Sequence, residues 1–299
     1  MTHPLTERSV EIGNMSFALL ESGPSKGPLA LLFHGFPDTA WTWRHLLGDL
    51  AEAGYHAVAP YLRGYAPSSL SPEGQYSVAA IINDAVQLHD VLGGGPDAIV
   101  VGHDWGSAAA YGAGAFSPDR FARVIGLAVP PAGAFVQGLL GYEQLKRSFY
   151  MFFFQTPFAE GVVSADEMSF LARLWEDWSP GYDATEDMAR VRQSLAAPEN
   201  LTAALGYYRA MFDFTGAPAE LAGQAAAALA SVPQPTLYLH GRADGCLGWD
   251  IVDRPDIAAT LEALLGEGSE VVGFEGLGHF LHLEAPALVN GHILEWLAE

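Results

Sequence analysis

Asp104 stands between two glycines in Gly102-His103-Asp104-Trp105-Gly106, with an apolar, β-branched run ahead of it and an Ala-rich run behind. Small residues on both sides of a central side chain let a strand turn sharply into a helix and hold that side chain out at the helix's amino end. The usual occupant is serine; a carboxylate changes the chemistry. It is ionised at neutral pH and needs no base to attack, which suits displacement at an sp³ carbon and leaves an ester. Hydrolysing that ester requires a base and a group to orient it. Asp244, in Gly241-Arg242-Ala243-Asp244-Gly245, and His279, after Gly278, are of the right types. Singly, Asp244 reads as a turn residue and Gly278-His279 as plain turn chemistry. In the order nucleophile, acid, histidine, each after its own strand, they read as a triad.

The strands that position these loops follow from apolar runs. Ser9 to Ile12 and Phe17 to Leu20 alternate as a hairpin around Gly13-Asn14, and Leu29 to Phe33 is continuously apolar. Further strands are predicted at His56 to Ala59, Ala98 to Val101, Phe121 to Val129, Thr236 to His240 and Glu270 to Phe274. Helices are expected at Trp41 to Ala53, Val78 to Leu92, Ser107 to Phe116, Pro255 to Leu265 and Leu283 to Ala298. This alternation predicts an α/β fold, a mostly parallel sheet with helices on both faces, whose ligands gather at the carboxyl ends of the strands. From Ala132 to Ser231 the alternation gives way to aromatic-rich helical sequence. The expected organisation is a core of 1–131 and 232–299 interrupted by a helical cap of 132–231.

Composition narrows the partners. The chain has 299 residues and a formal charge of −21, which argues against nucleic acid or an anionic membrane. No apolar run approaches the roughly 20 residues of a spanning helix. Met1 to Ile12 carries Glu7 and Arg8 without an apolar core, so no secretory signal is expected. The single cysteine, Cys246, excludes an intrachain disulfide and points to a reducing, cytoplasmic compartment. Nothing implies a metal or cofactor, and the oligomeric state is left open between monomer and homodimer.

With these residues in place, the chain resembles an α/β-hydrolase-fold epoxide hydrolase over essentially its full length. The resemblance rests on His34-Gly35-Phe36-Pro37, Gly102-His103-Asp104-Trp105-Gly106, Asp244 and Gly278-His279. In the insertion it rests on Tyr150-x-x-x-x-Gln155-x-Pro157 and Tyr207-Tyr208-Arg209. It implies Asp104 as nucleophile, His279 as base, Asp244 as orienting acid, and Tyr150 and Tyr208 as ring-opening donors. The oxyanion, which forms on the Asp104 carboxyl itself, would be received by the backbone N–H groups of Phe36 and Trp105. Tyr207 and Tyr208 point roughly 100° apart on a helix, so one faces the cavity, and the resemblance alone selects Tyr208. The family often places an acidic residue two positions before Arg63-Gly64-Tyr65, where this chain has Tyr61. The implied substrate is a small, neutral, apolar epoxide, opened to a vicinal diol.

The nearest alternative is a haloalkane dehalogenase using the same aspartate, with Trp105 donating to a halide and Trp175 or Trp178 available as further donors. Its first loop often offers an Asn where this chain has Phe36. An ordinary esterase would have serine at 104, and a non-catalytic small-molecule receptor would not need the full reacting set. His34 is expected to brace the oxyanion loop, His103 to pack beside the turn, and His282 to be exposed or to cap a helix. Asp250 and Asp253 are weaker acid candidates, and Phe121 to Pro131 contains no carboxylate.

Overall fold

The computed structural model describes residues 3–299. Among the described residues eight strands form one sheet: β1 (Thr6–Ile12), β2 (Met15–Ser22), β3 (Leu29–Phe33), β4 (His56–Pro60), β5 (Ala98–His103), β6 (Phe121–Leu127), β7 (Thr236–Gly241) and β8 (Glu270–Phe274). Their order is β1-β2-β4-β3-β5-β6-β7-β8. The β1–β2 and β2–β4 pairs are antiparallel and the remaining pairs parallel. All residues of β3, β4, β5 and β7 are buried, as helices on both faces require. Along β3, Leu31 and Phe33 enter one apolar layer while Ala30 and Leu32 enter the opposite one. Each fully buried large aliphatic side chain contributes about 1.5–3 kcal/mol, which makes a sheet walled on both faces a rigid platform for the loops at its edge. Among the described residues, no helix is long and apolar enough to cross a membrane.

Local sequence explains the helix limits. The helix Val78–Val91 begins where the Ser77 hydroxyl accepts the Ala80 N–H. The expected helix from Trp41 divides into a 3₁₀ turn, Ala40–Trp43, and an α-helix, Arg44–Glu52. The expected closing helix also divides, into Leu281–Glu284 and Pro286–Leu297. Pro286 lacks the N–H a continuous helix would need and is suited to a first turn.

Between β6 and β7 the ordered elements are helical: Ala132–Leu139, Tyr142–Arg147, Phe149–Phe153, Ala159–Trp178, Thr185–Ser194, Pro198–Met211 and Ala222–Ala227, with a 3₁₀ turn at Ala219–Leu221. Ala159–Trp178 is broken midway, where Asp166, Glu167 and Met168 adopt left-handed backbone (φ 47°, 56° and 59°). The Glu167 carbonyl accepts Arg192 Nε at 2.6 Å, which partners a backbone group at the break. The outermost helices of this stretch, Ala132–Leu139 and Ala222–Ala227, pack back on helices of the sheet-bearing part.

Candidate active site

Asp104 occupies the turn between β5 and the helix Trp105–Phe116, with φ 54° and ψ −119°, a conformation L-residues rarely adopt. The flanking glycines permit it. A Cβ on Gly102 would lie 2.0 Å from Gly106 O, and one on Gly106 would lie 2.0 Å from Phe33 O. Ser107 secures the turn from beneath: its Oγ lies 2.8 Å from both Gly102 O and Leu127 O and accepts the Leu127 N–H at 2.9 Å. Gly35 lets the neighbouring loop approach, since a Cβ there would strike the Asp104 side chain at 2.3 Å. The Phe36 N–H consequently donates to Asp104 Oδ1 at 2.7 Å. Burial raises the carboxyl's pKa, and the His279 ring with the N–H groups of Phe36 and Trp105 pulls against that shift.

His279 meets both carboxylates. Its Nδ1 is 2.8 Å from Asp244 Oδ2, and its Nε2 is 3.8 Å from Asp104 Oδ2. Asp244 Oδ1 accepts the N–H groups of Cys246 (2.7 Å) and Leu247 (2.9 Å), which fixes the carboxylate's orientation. Burial works against the imidazolium, but the Asp244 carboxylate outweighs it and holds the His279 pKa well above the usual imidazole range. One half of Asp104 is therefore bound to a backbone donor while the other faces the base.

The sequence did not reveal what clamps these loops. Trp178 O, at the end of Ala159–Trp178, accepts the N–H of His279 (3.0 Å) and of Gly245 (3.2 Å), tying the acid and base loops to one carbonyl. Ser179 Oγ accepts the Phe280 N–H at 2.9 Å and donates to Glu284 Oε1 at 2.7 Å, and Glu284 also accepts the Gly278 N–H. Gly278 permits this, because a Cβ there would lie 2.6 Å from Trp178 O. The glycines before His279 and after Asp244 were the available signal, but Trp178, which both approach, lies roughly 70 to 100 residues away in the chain.

The two phenols come from different helices and share a cavity of about 530 Å³ with Asp104. Tyr150 and Tyr208 are fully buried, with ring centroids 5.5 Å apart. Gln155 ties their segments together, its Nε2 donating to Met151 O (2.8 Å) and Tyr208 O (3.0 Å). Arg209 Nε donates to Phe154 O at 3.1 Å, and the guanidinium pairs with Glu160. Tyr207 turns away and gives its hydroxyl to Arg63 O at 2.9 Å, beside the buried Arg63–Asp84 ion pair. Tyr150 Oη lies 3.3 Å from Cys246 Sγ, and Tyr208 Oη has no hydrogen-bond partner among the described residues. Burial raises both phenol pKa values far above 10, so both stay protonated.

Three histidines near the site have structural partners. His34 Nε2 accepts the Leu62 N–H at 3.0 Å, bracing the loop that carries Phe36. His103 Nε2 meets His279 O at 3.0 Å. His282 departs from expectation: it is buried, bonded to Thr42 Oγ1 at 2.6 Å and stacked on Trp43. Leu281, His282 and Leu283 of the short helix Leu281–Glu284 are all buried, so this histidine lies in the core and not at a helix end facing solvent. Trp175 Nε1 is occupied by Pro37 O at 2.9 Å, and Asp250 is occupied by Arg147.

Comparison with known proteins agrees with this geometry. A model described as the alpha/beta hydrolase family matches residues 30–291. Epoxide hydrolase A of Mycobacterium tuberculosis (strain ATCC 25618 / H37Rv) is 31% identical, covering 98% of this chain and 97% of its own. An epoxide hydrolase of Caballeronia sordidicola is 29% identical, covering 99% and 95%. Among solved structures, epoxide hydrolase A from Mycobacterium thermoresistibile superposes with a TM-score of 0.79 at 28% identity, covering 99% of this chain and 98% of that one.

Proposed function

The chain belongs to the alpha/beta hydrolase family, among its epoxide hydrolases, and from that premise we propose that it opens epoxides to vicinal diols through an ester on Asp104. One observation carries the reading: Asp104 Oδ1 is held by the Phe36 N–H, Oδ2 faces His279, and the residue lines a cavity together with Tyr150 and Tyr208. Oδ2 attacks an epoxide carbon, and the opening ring oxygen takes a proton from a phenol. Two phenols that stay neutral at pH 7 can donate to an oxygen too basic to leave unassisted. Water deprotonated by His279 then attacks the ester carbonyl. The charge developing on Oδ1 is met by the N–H groups of Phe36 and Trp105; losing one such donor typically costs about 3–4 kcal/mol of barrier. Asp244 orients the imidazole and stabilises its cation.

Cavity character supports a neutral, apolar substrate. Its mouth carries Val136, Leu140, Phe214 and Leu229, all exposed, and Met151 and Leu139 line it further in. Surface like this binds hydrocarbon and offers a carboxylate substrate no counter-charge. The boundaries of the cap at 132 and 231, a cytoplasmic location and a lack of nucleic-acid partners belong to the same proposal. A second reading keeps one observation in its favour: the buried Trp105 Nε1 has no hydrogen-bond partner among the described residues, as a halide donor would. Offering an aliphatic epoxide and a 1-bromoalkane side by side separates the two. Diol formation without bromide release is expected; bromide release without diol would replace the epoxide with a carbon–halogen bond.

A further inference from the structure

Proton accounting for the proposed reaction leaves one transfer without a carrier. Ring opening takes a proton from a phenol and leaves a phenolate. Ester hydrolysis then needs His279 as a neutral base, yet Asp244 favours its imidazolium. One proton must therefore leave the imidazolium and reach the phenolate between the two half-reactions.

Cys246 lies between those two groups. Its Sγ is 3.3 Å from Tyr150 Oη. Sγ, a His279 nitrogen and an Asp244 oxygen all lie within 4.8 Å of one another. Its placement is fixed by backbone: Cys246 N–H donates to Asp244 Oδ1 at 2.7 Å, and Cys246 O accepts Gln144 Nε2 at 2.9 Å. The residue is wholly buried. His279 Nδ1 is engaged by Asp244, while Nε2 has no hydrogen-bond partner among the described residues.

We propose that the Cys246 thiol carries a proton from His279 to Tyr150 between ring opening and ester hydrolysis. The His279 Nε2–H bond breaks and the Tyr150 Oη–H bond forms. Sulfur accepts one proton as it gives up its own, so the thiol ends unchanged and no electrons are transferred. His279 is left neutral when its water must be activated, and it regains a proton from that water as Asp104 regains its charge. The cycle closes on epoxide plus water giving diol. Burial pushes the thiol up to about 11, so it works as a neutral acceptor and donor and not as a thiolate nucleophile. The contact to Tyr150 also assigns the two phenols different parts: Tyr150 is the one that is reprotonated from within the protein.

This relay rests on the epoxide reading, and the experiment separates the two. Single-turnover mixing of epoxide with wild type, Cys246→Ala and Cys246→Ser is followed by quenched mass measurement of the Asp104 ester and by near-ultraviolet phenolate absorbance. In Cys246→Ala the ester should form at the wild-type rate, decay at least about tenfold more slowly, and accumulate with a phenolate signal. Cys246→Ser, which keeps an exchangeable proton, should restore decay and abolish the signal; a role in packing alone would give neither signature. Cys246→Val takes the place of the alanine variant should that one fail to fold. Ester decay in the alanine or valine variant at the wild-type rate, with no phenolate, overturns the relay alone. Absence of any ester in wild type overturns the epoxide reading itself.

Discussion

His279 Nε2 stands 3.8 Å from Asp104 Oδ2, while the other carboxylate oxygen is held at 2.7 Å by the Phe36 N–H. That separation is too long for a direct hydrogen bond and close enough for the imidazole to reach a water attacking the ester carbonyl. It assigns the two oxygens different work: one becomes the ester carbonyl, the other the new bond.

His279→Gln should keep the first half-reaction and lose the second. Asp104 attacks without a base, so the ester forms; its hydrolysis should slow by about 10²–10⁴-fold. Intact-protein mass spectrometry should show an increase equal to the epoxide's mass. A variant that turns over at the wild-type rate would remove His279 from the role of base.

Tyr150→Phe and Tyr208→Phe should each slow ring opening by about 10–100-fold, the worth of one hydrogen bond to a charged oxygen. The double variant should form no detectable ester. Tyr207→Phe is the contrast: its hydroxyl serves Arg63 O, so it should leave ester formation intact and lower thermal stability. An unchanged double variant would mean the donors are misassigned.

Much of this was legible in the sequence because it is local. The Gly102–Gly106 turn, the strand ends and the order Asp104, Asp244, His279 all follow from short runs of residue types. What escaped depends on distant chain. Periodicity could not choose between Tyr207 and Tyr208; Gln155 and Arg63, on other segments, decide it. Trp178 O clamps two catalytic loops through a bare carbonyl, which no side-chain pattern announces. His282 reads as exposed or capping because it falls at the start of the expected closing helix; it lies instead inside the separate short helix Leu281–Glu284, buried against Thr42 and Trp43. Cys246 spoke only of redox compartment until the fold set it beside Tyr150.

Ser107→Ala should cost about 1–3 kcal/mol, because it leaves the buried Leu127 N–H without its acceptor at 2.9 Å. Urea denaturation should show a lower midpoint with an unchanged slope. An unaltered midpoint would show that the turn does not depend on this hydroxyl.

Asp38 gives a pH signature. Burial, then the nearby Asp187, pushes its carboxyl up to about 8 from an ordinary 3.8. Across that window the native protein binds a proton that the unfolded chain has released, so this residue makes stability fall as pH rises. Asp38→Asn should remove that decline: between pH 5 and pH 9, wild type should lose more stability than the variant. Equal losses in the two proteins would place the proton elsewhere.

The covalent ester on Asp104 is tested most directly by one turnover in ¹⁸O-water with enzyme in excess. Water attacks the ester carbonyl, so the label should enter the Asp104 carboxylate and the first diol should leave unlabelled. Label in the first diol, with none in the peptide carrying Asp104, would mean that water opens the epoxide itself and that Asp104 is not the nucleophile.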